Sequence, residues 1–207
     1  MASKEDKSLI EILTQHQAYL YRVSSQSVNE LLKIFNDESA LMLAKLRDLL
    51  DELNDSEKMA LASGQYTTSN LKEVRDLIAQ WFTAINTALP EAFAVSATAL
   101  AVYEANYMAK LYGGKIKKPN GEKVYAAAKK IPLVGGALVD DLLSRIAENA
   151  RQKVEYAIRD GINSGKTNQE IVQRIRGTKR LNYEDGLLSS SKTDIDRTVR
   201  TVRSHVA

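Results

Sequence analysis

Between Ile158 and Gly177 the chain reads I-R-D-G-I-N-S-G-K-T-N-Q-E-I-V-Q-R-I-R-G, and this stretch narrows the possible folds more than any other. Apolar residues at helical spacing lead into two glycines, Gly161 and Gly165, each placed to stop a helix because glycine enters left-handed conformations without a Cβ penalty. Thr167 followed by Glu170 has the form of a capping box, in which the hydroxyl and the carboxylate satisfy each other's backbone N–H groups and start a new helix. Gly177 closes that helix. The expectation is a tight helix-to-helix joint built on Gly161, Gly165, Thr167, Glu170 and Gly177. The run Gly165-Lys166-Thr167 also ends like a phosphate loop, but Asp160 stands where that loop needs its first glycine, and a helix rather than a strand precedes it.

The remainder of the 207 residues repeats the helical theme. Three prolines and ten glycines are few for this length, and no stretch sustains the two-residue alternation of a half-buried strand. The expected fold is all-α: an elongated multi-helix bundle of long amphipathic helices with a smaller, basic C-terminal helical region. Apolar positions from Leu9 to Phe35 predict a long helix, with His16 in its stripe as a packed or half-exposed residue. Asn36 or Asp37 is expected to cap a second helix through Leu53, the two forming an antiparallel pair. Residues 54–70 read as a connector with at most a short helix. Leu71, Val74, Ile78, Trp81, Phe82, Ile85 and Leu89 give the cleanest amphipathic pattern, with Trp81 as a core anchor. Pro90 is expected to open a further helix ending at Gly113-Gly114.

The run K-I-K-K-P-N-G-E-K, residues 115–123, predicts an exposed basic loop. It suggests a division into residues 1–114, a basic linker over 115–130, and a C-terminal region over 131–207. In that last region Val139, Leu142, Ile146, Ala150, Val154, Ala157 and Ile158 are expected inward on one helix. Ile171, Val172 and Ile175 face inward on the next, and Ser191 caps a last helix carrying Ile195, Val199 and Val202.

Charge is uneven along the chain. Residues 1–100 hold 9 Lys and Arg against 14 Asp and Glu, whereas residues 101–207 hold 20 against 12. The basic half is where an acidic partner or nucleic acid is expected, through Lys166, Arg174, Arg176, Lys179, Arg180, Arg197, Arg200 and Arg203. With no cysteine and with His16 and His205 at opposite ends, no metal or cofactor site is expected. The acidic pairs Asp140-Asp141 and Glu184-Asp185 are sequence neighbours, which point about 100 degrees apart on a helix and share no substrate easily. They are expected to be surface and turn residues, and no catalytic residue is assigned. The N-terminus lacks a signal-peptide core, and no run of about 18 apolar residues is expected to span a membrane, so synthesis is expected in the cytoplasm.

Five motifs in order, I-P-x-x-G-G-x-L from Ile131, A-I-x-x-G-I-x-x-G-K-T from Ala157, E-I-V-Q-R-I-R-G-T from Glu170, D-G-L-L from Asp185 and V-R-T-V-R-S-H-V-A from Val199, resemble the phage head morphogenesis family, the minor head proteins. The resemblance covers 131–207. It implies a structural virion protein at the portal vertex or capsid interior, possibly ejected with the genome and without catalysis. Its implied partners are the portal or other head proteins, packaged double-stranded DNA, and further copies of the chain as a homo-oligomer. Made in the host cytoplasm, it would reside in the virion. The chain stops at Ala207, where longer members continue, so it is either a short member or a truncated or processed one. A helical DNA-binding regulator, neutralising phosphates with the same cations, is the alternative reading.

Overall fold

The computed structural model describes residues 4–113, 120–133 and 135–206, with side chains over 10–203 of these. Gly114, residues 115–119 of the basic loop, Val134 and the side chain of His205 lie outside the described residues. The fold is an all-α multi-helix bundle: α1 (Lys4–Glu52), α2 (Asp55–Ala62), α3 (Ser69–Leu111), α4 (Gly121–Ala128), α5 (Val139–Asn163), α6 (Asn168–Arg176) and α7 (Ser189–Val206). A 3-10 turn, Lys179–Leu181, follows α6, and among the described residues there is no strand.

Two of the expected helix breaks do not occur. Asn36 and Asp37 sit inside one continuous α1 of 49 residues, about 70 Å long at 1.5 Å per residue. Nothing there stops the helix, because the buried stripe Leu31, Phe35, Met42, Leu43, Leu46 and Leu50 runs through in phase. Asp37 faces solvent and pairs with Lys33 one turn earlier at 2.6 Å. The expected pairing of residues 8–35 with 37–53 is therefore replaced by pairing of α1 with α3.

Pro90 likewise lies within α3, a single helix of 43 residues, instead of opening a new one. Proline removes one helical N–H and crowds the carbonyl four residues back, at a cost of about 3 kcal/mol in an open helix. Here Leu89 and Phe93 are buried on either side of it, and the apolar stripe from Leu71 to Leu100 holds the helix across the defect.

α1 and α3 run antiparallel, as the ring contacts show. Phe35 meets Trp81 with centroids 6.4 Å apart, Tyr19 stacks on Tyr103 at 3.9 Å, and His16 stacks on Tyr107 at 3.6 Å. Trp81 is a core residue, and His16 is buried. α2 is a short connector held by a capping box between Asn54 and Glu57. The Glu57 carboxyl is held below its ordinary range, first by the hydroxyl of Thr68 and then by the backbone N–H of Asn54.

α5 lies against α2, α3, α6 and α7, while α6 and α7 both return to α1. On α5 the inward residues are Val139, Leu143, Ile146, Ala150, Val154, Ala157 and Ile158. Leu143 takes the place expected of Leu142, which is only half-buried. Val172 of α6 is also half-buried, beside the fully enclosed Ile171 and Ile175. One apolar cluster runs from Val28 to Val202 through all these helices. The expected basic loop does not reach Lys123, because the Asn120 side chain accepts the N–H of Lys123 and starts α4. Ser191 is fully buried inside α7, which begins two residues earlier at Ser189.

α3 is the most apolar of the long helices, although no unbroken run of 18 apolar residues occurs in it. One 18-residue window within it reaches a mean hydropathy of 1.3, with 33% of it buried. From 77 to 109 its only charged residues are Glu91 and Glu104. By length and composition alone this helix could cross a membrane.

Candidate functional site

The α5–α6 joint forms as a set of satisfied backbone groups. After α5 the N–H of Gly165 bonds the carbonyl of Ile162 at 3.0 Å, and that of Lys166 bonds Gly161 at 2.9 Å, the crossed pair that closes a helix on a left-handed residue. That residue is Gly165, at φ +66°. Gly161, expected as a stop, instead lies within the last turn of α5 and is buried. A Cβ there would come 2.5 Å from the side chain of Ile171, so this glycine is what lets α5 and α6 touch.

Thr167 then caps α6. Its hydroxyl accepts the N–H of Glu170 at 3.2 Å, and Glu170 accepts the N–H of Thr167 at 2.8 Å. The Glu170 carboxyl is held below its ordinary range first by that Thr167 N–H and then by the Thr167 hydroxyl, which donates to it at 3.0 Å. Two of the N–H groups at this helix start, those of Thr167 and Glu170, are thus already occupied.

α6 ends at Gly177, φ +90°, against the turn that leads to α7. The N–H groups of Leu187 and Leu188 bond the carbonyls of Arg174 and Ile175 at 3.1 and 3.3 Å. Asp185 accepts the N–H of Thr178 at 2.7 Å and its hydroxyl at 2.9 Å, which lowers the Asp185 pKa. Asp185 is therefore a structural clamp. Asp140 pairs with Lys129 at 3.3 Å, and Asp141 accepts the N–H of Leu138 at 3.4 Å. Among the described residues no group of three His, Asp or Glu side chains could hold a metal ion.

The eight candidate cations do not form one surface. Four are committed to carboxylates of the chain itself: Lys166 to Glu170 at 3.4 Å, Arg174 to Asp160, Arg197 to Asp194 at 3.7 Å and Arg200 to Asp196 at 2.9 Å. Arg174 also lies over Tyr156, and Arg200 over Tyr21. Arg203 is half-buried beside Ser24 and Phe93. Arg176 stacks on Tyr183 at 4.8 Å, while Lys179 and Arg180 are exposed in the 3-10 turn.

Two groups result. Arg200 sits at Tyr21 of α1 and Arg176 beside Ala40, positions separated by 19 residues and hence about 28 Å along that helix. Spacing within one helix, which is all the sequence offers, does not reveal which acids the fold brings opposite. Asp160 and Tyr156 are on α5, one helix away from Arg174.

The far end of the α1–α3 pair is different. Ile10 and Leu13 are 59% and 43% exposed, and Met108, Leu111 and Tyr112 are 44%, 42% and 51% exposed. Since His16 stands beside Glu104 and the helices are antiparallel, Ile10 and Leu111 lie about 9–11 Å beyond that rung, at the same end. Large apolar side chains grouped and exposed in this way mark contact surfaces. Just inside the tip, His16 Nε2 is 3.2 Å from Glu104 Oε1, both buried. Burial raises the Glu104 pKa, and the nearby imidazole works against that shift.

No family model, curated protein or solved structure matches this chain.

Proposed function

We propose that the chain is a structural protein of a phage head, of the minor head type, acting at the portal vertex or on the capsid interior through its surfaces and without chemistry of its own. The reading rests on the five-motif resemblance over 131–207, and one structural observation supports it. The apolar end formed by Ile10, Leu13, Met108, Leu111 and Tyr112 is a surface of the kind a protein partner covers. A portal or other head protein, with further copies of the chain beside it, is the proposed occupant.

Four of the eight candidate cations are held by internal carboxylates, which favours protein contact over phosphate tracking. Lys179 and Arg180, exposed beside Arg176, support the second reading, a helical DNA-binding regulator.

Mass spectrometry of purified virions, before and after DNA release, separates the readings. Presence before and loss after supports ejection with the genome; retention in emptied heads supports a fixed portal-side role. Absence from both, together with a steeply salt-dependent affinity for duplex DNA, replaces the head-protein reading with the regulator.

A further inference from the structure

At the apolar end of the α1–α3 pair, the helix that covers one face of the pair runs out. Further in, Ser24 of α1 and Ala97 of α3 share a small cavity with Val199 and Val202 of α7, and Arg200 sits over Tyr21 at 5.6 Å. α7 ends at Val206, six residues past Arg200, so its last turn reaches about 9 Å beyond Tyr21, level with Gln15.

The rows that α7 covers continue past it. On α1, steps of three and four residues lead from Ser24 and Tyr21 through Gln17 to Leu13 and Ile10. On α3 the same steps lead from Ala97 through Ala101 and Ala105 to Met108 and Tyr112. Ile10, Leu13, Met108 and Tyr112 therefore lie on one face of the helix pair, and they are 59%, 43%, 44% and 51% exposed. Two antiparallel helices by themselves bury only the seam between them, and a second such pair closes the open face into a four-helix arrangement.

Charge decides what fits there. In residues 10–14 and 106–112 the charged side chains are Glu11 and Lys110. At roughly 100° per residue, Glu11 points about 100–160° away from Ile10 and Leu13, and Lys110 about 160° away from Met108 and Tyr112. The open face is thus apolar, edged by the neutral Thr14. An anionic surface finds no cation on it, and a charged protein face finds no counter-charge. A two-fold axis sets a face against its own copy, so a face of one charge sign would repel itself and a neutral apolar one does not.

We propose that the apolar ends of two copies of this chain pack on each other through this face, around a two-fold axis. The contact rests on the head-protein reading for bringing copies together, and it names the second copy among the occupants that reading allows. The uncovered length is about 10 Å of each helix, which places the interface below the roughly 1,200 Å² of stable complexes and the Kd on the order of 10–100 µM. Copies held side by side on one particle meet at effective concentrations nearer millimolar, where such a contact fills.

The test is sedimentation equilibrium of the full chain at concentrations from well below to well above that Kd. A monomer–dimer equilibrium is expected, little changed by added salt because no ion pair forms. Leu13→Glu and Met108→Glu should each weaken it tenfold or more, while Glu11→Gln and Lys110→Gln, turned away from the face, should leave it within twofold. The chain has no cysteine, so Thr14→Cys reports the contact with every apolar group in place. Under mild oxidation it should give a disulfide-linked dimer at least tenfold faster than Thr83→Cys, exposed on the body of α3. A monomer at every concentration overturns the proposal, as does a dimer that survives both glutamates or dissolves in salt. A monomer that instead binds phosphatidylglycerol vesicles, and loses that binding with Leu13→Glu, overturns it in favour of a lipid surface. A monomeric chain found in virions sinks the contact and leaves the head-protein reading standing; a dimer absent from virions does the reverse.

Discussion

The long α1–α3 pair and the compact α5–α7 region solve the same problem by different means. The pair holds two helices of 49 and 43 residues through an unbroken apolar stripe, and it absorbs Asn36, Asp37 and Pro90 without a turn. The α5–α7 region has shorter helices, and its turns are fixed residue by residue through Gly165, Thr167, Glu170, Gly177 and Asp185. A local breaker is decisive only where the burial pattern also lapses. Where the stripe continues, hydrophobic burial at about 25 cal/mol per Å² outweighs one cap or one lost hydrogen bond.

Substitutions in the two regions should therefore fail differently. Phe35→Ala removes a fully buried ring against Trp81 and should lower stability by about 3–5 kcal/mol in denaturant melts. Gly186→Ala puts a Cβ 2.4 Å from the backbone of Arg176, where no side chain can yield, and should cost about 3 kcal/mol. At Gly165 a Cβ meets no atom within 4 Å, but valine there must hold φ +66°, so Gly165→Val should cost about 1–3 kcal/mol. Pro90→Ala should stabilise, by about 1 kcal/mol or more, because α3 already follows a helical path there. Arg174→Ala, breaking an exposed ion pair, should cost under about 1 kcal/mol. Equal losses from Gly165→Val and Arg174→Ala would contradict the role given to Gly165.

Acid should move the two regions in opposite directions. Glu170 and Asp185 have folded pKa values below their ordinary 4.5 and 3.8, so their contribution is complete above those values and is lost as pH falls through the lower folded ones. Glu104 has a raised folded pKa, so its charged form is a burden that protonation relieves as pH falls toward 4.5. Hydrogen exchange, corrected for intrinsic rates, should show peptides over 168–188 opening while those over 98–111 hold or tighten. Parallel loosening of both would contradict this division.

The same contrast explains what the sequence made legible. The Trp81 stripe, the Thr167–Glu170 cap and the left-handed Gly165 are local patterns and are found where expected. The continuity of α1 and α3 was not legible, because Asn36 and Pro90 are breakers by local rule and only the partner helix overrules them. Gly161 looks like a stop in the sequence because its contact, Ile171, is set by how two helices meet. Tyr183 in the N-Y-E-D-G turn offered a local signal, since Asn182 before it is among the few residues that tolerate left-handed geometry.

Site-specific photo-cross-linking in purified, DNA-filled heads tests the central claim most directly. A benzophenone side chain replacing Leu111, on the apolar end, should cross-link to the portal or another head protein, or to a second copy of the chain. The same group replacing Lys179, in the charged region, should give little or none. Cross-links absent at position 111, or equally strong at 179, would contradict a protein that works by seating its apolar end in the particle.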